Sequence, residues 1–280
     1  MTYLFLILRI LSTPVANAFQ KKIVQNNSAI ISNFYVYFIL SIGCIPFMTQ
    51  VSWNTLPRTV YYNAMLSGIL CSVGTICLIK ALEKGELSIL GPINSYKCII
   101  GLVSAFVLLG EIPTFAGFLG MLLIVYGSWF IFETTKEGFS FELFKRRDIQ
   151  LRFAALIMSG VEAGILKKVI IQSSPEISFY LWCCLAALFS FIILIFSGKK
   201  FEKPVGMRDY FTVASGIAIM QLSTNIVFKY MQVGFALALF QLSTLVTLFL
   251  GFKMFREGEM KKKFIGTMIM ILGSVLILNF

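Results

Sequence analysis

Histidine is missing from this chain altogether, and acidic residues are scarce, at 13 against 24 lysines and arginines. Without histidine there is no Ser-His-Asp constellation and no histidine-containing zinc site. No glycine-rich loop runs into Gly-Lys-Ser or Gly-Lys-Thr, so phosphate cradling of the P-loop kind is excluded, and with it ATP-driven work by this chain alone. Charged residues make up only 13% of the sequence, too few to clothe a soluble domain of this length. The six cysteines (Cys44, Cys71, Cys77, Cys98, Cys183 and Cys184) all fall in apolar stretches without metal-type spacing. They read as small core residues, and no cofactor or metal is expected. A cleavable signal peptide is not expected either, because the first segment lacks a basic leader and continues past Pro14 as an ordinary span.

Long apolar runs are what the chain has instead. Of its 280 residues 58% are apolar, and the mean hydropathy is +0.86. Ten segments have the length a helix needs to cross hydrocarbon: 3–22, 31–50, 61–82, 87–109, 112–132, 151–171, 177–197, 209–231, 235–255 and 264–280. The short alternating strands of a membrane barrel are absent from the pattern. The expected class is an all-α integral membrane protein with ten transmembrane helices.

The chain also repeats itself. Residues 20–32, QKKIVQNNSAIIS, match 166–178, LKKVIIQSSPEIS, 146 positions on. The same offset carries Glu111, Gly120, Gly127 and Ser128 onto Glu257, Gly266, Gly273 and Ser274, whereas Lys80 and Gly85 match Lys229 and Gly234 at 149. Two halves follow, 1–140 and 141–280, with five spans each. An odd number of spans makes the second half enter the membrane from the opposite side, and inverted repeats around a central site characterise transporters. The connection from Glu133 to Gln150 reads as a surface linker with a short amphipathic helix around FSFELFKRR. The basic residues, among them Lys21, Lys22, Lys84, Arg146, Arg147, Arg152, Lys199 and Lys261 to Lys263, gather on the odd-numbered connections and their span ends. That bias puts those connections in the cytoplasm and both termini outside. It also makes anionic lipid, not nucleic acid, the partner of the +11 net charge.

The duplicated signatures LLGEIPTFAGFLGMLLIVYGS (108–128) and MFREGEMKKKFIGTMIMILGS (254–274), with Lys21 and Lys167 near the ends of the first and sixth spans, resemble the drug/metabolite transporter superfamily, EamA type. The resemblance covers essentially the whole chain. It implies a ten-helix inverted-repeat fold that moves metabolites, amino acids, drugs or nucleotide sugars. It further implies a cavity lined mainly by spans 1, 3, 4, 6, 8 and 9, with spans 5 and 10 peripheral. Several members of that superfamily keep both termini in the cytoplasm, the reverse of the charge count here, and both orientations stand at this point.

Candidate site residues are the polar ones set deep in apolar spans. Lys97 lies near the middle of its segment, where a lysine must face protein, water or solute rather than lipid. It is either a cationic anchor for a carboxylate or phosphate or half of a buried ion pair. Glu162, mid-span in the second half, is either a proton-coupling carboxyl or a permanent partner of Arg9 or Lys97; Arg9 lies a third of the way into the first span. Asn17, Asn94, Ser95, Gln221, Ser223, Thr224, Asn225, Gln241, Ser243 and Thr244 form a second polar set that lines a cavity or ties helices together. Tyr96, Trp182 and Phe240 either cap the cavity or pack. Pro14 and Pro92 permit bending, and Pro46 reads as a span-end breaker. Glu111 and Glu257 are expected to cap the following turns, and the glycines at 120, 127, 266 and 273 to form a close-packing stripe.

The expected activity is therefore secondary transport of a small organic solute by alternating access, in a plasma membrane (the inner membrane if bacterial), by a monomer or homodimer. Proton coupling and exchange are both left open. The alternative is a non-transporting membrane protein, such as a lipid-handling or assembly subunit.

Overall fold

A computed structural model describes residues 2–100, 114–138, 140–199, 201 and 204–277, the Phe235 side chain excepted. All regular structure among them is helical. The long helices are α1 (Thr2–Val24), α2 (Ala29–Met48), α3 (Arg58–Lys84), α6 (Phe115–Phe132), α8 (Arg147–Gln172), α9 (Pro175–Phe196), α10 (Met207–Tyr230) and α13 (Met260–Ile277). Shorter pieces are α4 (Leu87–Leu90), α5 (96–100), α7 (Phe141–Lys145), α11 (Val233–Phe240) and α12 (Ser243–Phe255). The linker helix expected around FSFELFKRR is α7.

Seven of these stretches are long and apolar enough to cross a bilayer: α1, α2, α3, α6, α9, α10 and the run Ala236–Phe255. The expected sixth span, α8, carries Arg147, Asp148, Arg152, Glu162, Lys167 and Lys168, and α13 opens on three lysines. The fourth segment, 87–109, runs into residues outside those described.

Two of the expected spans are broken. At 87–100 the helix stops at Gly91; Pro92, which lacks an N–H, opens a 3-10 turn (Pro92–Ser95) before helix resumes at 96. At Gln241–Leu242 no proline intervenes. The backbone tightens there to three-residue hydrogen bonds, Gln241 N–H to Ala238 O (3.0 Å) and Thr244 N–H to Gln241 O (2.9 Å). The Thr244 hydroxyl also donates to Gln241 O, the side-chain competition that loosens a helix. Pro14 and Pro46 both lie inside helices, Pro46 two residues from the end of its own.

Packing pairs a helix from before residue 140 with one from after it. α1 lies along α10, α3 along α8, α2 along α9 and α6 along α13. Small residues set the closest crossings. A Cβ on Gly127 would sit 2.6 Å from Gly266 O, and one on Gly120 would sit 2.6 Å from Gly273 O. α6 and α13 therefore cross antiparallel, backbone on backbone, as the glycine stripe predicts.

Candidate functional site

The helix pairs enclose a cavity of about 180 Å³, room for on the order of a dozen waters. Its wall is made by α1, α3, the 91–97 break, α8, α10, α11 and α12, with Tyr37 from α2 and Trp182 from α9; among the described residues α6 and α13 contribute nothing to it.

The 146-residue offset reappears in this wall. Thr13 and Ser159, Ala16 and Glu162, Asn17 and Ala163, Cys71 and Ile217, Thr75 and Gln221, Asn94 and Phe240, and Lys97 and Ser243 all line it, each pair 146 apart. Each charged member corresponds to a neutral residue in the other half: Arg9 to Ala155, Lys97 to Ser243, Glu162 to Ala16 and Arg152 to Leu6.

Arg9 donates from Nε to Thr224 Oγ1 (2.8 Å) and from Nη1 to Thr13 Oγ1, and its guanidinium lies 4.4 Å above the Phe240 ring. Both hydroxyls are set on their helices by bonds to the carbonyl four residues back. Glu162 accepts from Trp182 Nε1 (2.7 Å) and Ser67 Oγ (3.1 Å), both at Oε1. Its Oε2 has no protein donor among the described residues. Tyr37 braces this corner, its ring edge-on to Trp182 at 5.2 Å and its hydroxyl 2.9 Å from Thr75 Oγ1. The ion pair of Glu162 with Arg9 or Lys97, one of the two alternatives the sequence left open, is not formed: Arg9 and Glu162 are each satisfied by neutral groups, and among the described residues Lys97 makes no hydrogen bond or ion pair.

Of the other expected residues, Asn17, Asn94, Gln221, Thr224, Ser243 and Thr244 lie on the cavity wall. Ser95, Asn225 and Gln241 do not, and are corrected to supporting positions. Asn225 is wholly buried, taking Gln221 Nε2 (3.0 Å) and giving its own N–H to Pro175 O (3.0 Å). Gln241 is likewise buried, holding Leu237 O through Nε2 and facing Asn94 and Ser95 across the two helix breaks at 3.4 and 3.5 Å. Ser223 is buried off the wall as well. Tyr96 packs, its hydroxyl on Ser128 and its ring edge-on to Phe153.

Arg152 is the residue that sequence reasoning missed. Counted there with the basic linker, it is 93% buried on α8, donates from Nε to Leu90 O (2.7 Å) and from Nη2 to Asn94 Oδ1 (3.2 Å), and lines the cavity. The signal that could have found it is Asp148, an acidic first-turn residue that starts α8 at Arg147 and so carries Arg152 inside.

A second charged cluster closes the end of the bundle where α1 stops and α4 starts. Glu257, between α12 and α13, accepts from the backbone N–H of Leu87 and Ser88 and from Lys21 Nζ, each at 2.7 Å. It caps α4, in the other half of the chain, rather than its own following turn. Burial alone would raise the Glu257 carboxyl, but the Lys21 ammonium and the Ser88 N–H outweigh it and hold the group below its ordinary 4.5. Lys263, almost wholly buried, bonds Glu86 and Ser88 Oγ beside it. Lys167, at the far end of α8, donates to Met231 O; Glu111 lies outside the described residues. In the linker, hydrogen bonding to Arg146 holds Glu137 below the usual carboxylate range.

Among curated proteins none matches this chain. A solved structure described only as a crystal structure of a protein aligns over 98% of this chain and 95% of its own length, with a TM-score of 0.65 at 15% sequence identity; that likeness concerns the fold. The model of the EamA-like transporter family matches twice, over residues 1–133 and 148–279. Covering nearly the whole chain in two copies, it makes this protein a multi-pass membrane member of the EamA-like transporter family, of the drug/metabolite transporter type.

Proposed function

We propose that the chain is a secondary transporter of a small organic solute, working by alternating access. In this reading ten spans form two inverted five-helix halves, 1–140 and 141–280, and the broken fourth and ninth spans meet beside the solute site. The observation that carries it is the cavity wall, to which residues 146 apart in sequence both contribute. A site built equally from two related halves can be exposed to either side by exchanging their conformations. The reciprocal glycine contacts support the same reading, since each glycine touches not its own mate but the mate of the other glycine on its helix.

Within that site Arg9, Lys97 and Arg152, with Asn17, Asn94, Gln221, Ser243 and Thr244, bind the solute. Glu162 couples its movement to a proton taken up at Oε2, the oxygen that neither Trp182 nor Ser67 occupies. The protein acts in a plasma membrane, or in the inner membrane of a bacterium, with no enzymatic step of its own.

The test is flux into proteoliposomes of the purified full chain, screened with a metabolite library. Saturable uptake is expected, and Lys97→Ala is expected to abolish it while Leu122→Ala, on the outer face of α6, leaves it intact. Uptake indifferent to Lys97 removes that residue from the site, and no saturable uptake of any soluble compound refutes the carrier.

A further inference from the structure

We infer that the solute is an organic anion, its carboxylate or phosphate group seated among Arg9, Lys97 and Arg152. The inference rests on the carrier reading and adds the substrate class to it. Three cations and one carboxylate line the cavity, and none of the four is in an ion pair among the described residues. Each guanidinium spends only two of its five donors on protein, and all on neutral oxygens. Lys97 spends none.

These spare donors are not sealed in the packing. The only dry side-chain atoms without a partner among the described residues are Asn33 Oδ1 and Ser178 Oγ, so the free nitrogens of the three cations give onto the cavity space. An excess of positive charge in a bilayer is tolerated only where water or a counter-anion reaches it. The repeat does not carry these charges in both halves: the mates of Arg9, Lys97 and Arg152 in the other half are Ala155, Ser243 and Leu6. They break the symmetry of an otherwise matched wall, as groups kept for a ligand would. The first residues of α12, Ser243 and Thr244, are on the same wall, and the positive end of that helix adds to the attraction for an anion. Glu162 is the one group that opposes it. Trp182 and Ser67 both donate to it from the α9 and α3 side, and protonation at Oε2 would remove its charge as an anion enters.

The test compares isosteres on the wild-type chain, so it does not depend on any variant folding. Thermal unfolding and proteoliposome counterflow are measured with succinate against succinamide, glycerol phosphate against glycerol, and putrescine as the cation. Scrambling of labelled phosphatidylglycerol against labelled phosphatidylcholine is read in parallel. Charge-assisted hydrogen bonds predict a preference for the anionic member of at least one soluble pair by about ten- to a hundred-fold. Lys97→Met and Arg152→Gln should each reduce that preference by about ten-fold, with Leu122→Ala unchanged. Preference for the neutral or cationic member overturns the anion while leaving the carrier. Response to phosphatidylglycerol alone keeps the anion site and overturns the soluble-solute carrier. A panel inert in every arm overturns both.

Discussion

Gly127→Ala is the substitution whose cost can be worked most directly from the packing. Its new methyl would sit 2.6 Å from Gly266 O, 2.7 Å from Met270 Cγ and 2.9 Å from Met270 N, where ordinary contact begins at 3.4 Å. Met270 can turn its side chain aside; the two backbone atoms cannot yield without moving α13. The helix must therefore back off by about 0.8 Å at that crossing. A gap of that size forfeits roughly a quarter to a half of each dispersion contact along the seam. Overpacking of this kind costs about 1–3 kcal/mol, and alanine's better helix propensity returns up to about 1 kcal/mol. The net loss is about 1–2 kcal/mol, which for a chain of this size lowers the melting temperature by roughly 2–6 °C. Thermal unfolding of the purified protein, followed by tryptophan fluorescence, reads the shift. Gly266→Ala should fall alongside it, since its methyl meets Gly127 O, and the double variant should fall by less than the sum because both relieve the same crossing. Solute flux per folded molecule should be unchanged, as no described residue of either helix lines the cavity. An unchanged or higher melting temperature in both single variants would mean that α6 and α13 are not in backbone contact.

Three further expectations concern charge. Glu257→Gln keeps the shape but loses the carboxylate that three donors share; it should destabilise by about 3 kcal/mol near neutral pH, as breaking a buried pair does. Because the folded Glu257 carboxyl sits below its ordinary 4.5, its stabilisation is complete above that value and fades as pH falls through the lower folded value. The wild-type minus Glu257→Gln difference in melting temperature should therefore shrink only in acid, and a difference that shrinks on the alkaline side would refute the assignment. Trp182→Phe removes the shorter bond to Glu162 and should change the pH profile of flux more than its maximum, read by uptake at stepped external pH. Arg9→Lys keeps the charge but cannot serve Thr224 and Thr13 with the guanidinium's geometry, and should raise the half-saturating solute concentration by about ten-fold.

The membrane class and the duplication were legible because both are properties of long windows: apolar length, and a register repeated 146 positions on. Lys97, Arg9 and Glu162 stood out because a charge inside an apolar run has few structural excuses. What failed was local. Arg152 hid among the linker's basic residues, at the second position of the expected sixth span. Asn225 and Gln241 looked like wall residues because depth along a span is readable from sequence, whereas the direction a side chain takes around the helix is set by neighbours from the other half. The break at Gln241 had no proline to announce it, unlike its counterpart at Pro92. Glu257 was expected to serve the turn next to it and instead serves a helix 170 residues earlier, a partnership no local pattern encodes.

That long reach has a consequence for how the molecule is made. The first turn of α4 leaves the ribosome before the carboxylate that its amide groups meet in the fold. Its acceptor is synthesised only after nearly all the rest of the chain. Until then the amides of Leu87 and Ser88 lack the carboxylate they meet in the fold, so this end of the bundle closes only once residue 257 is in place.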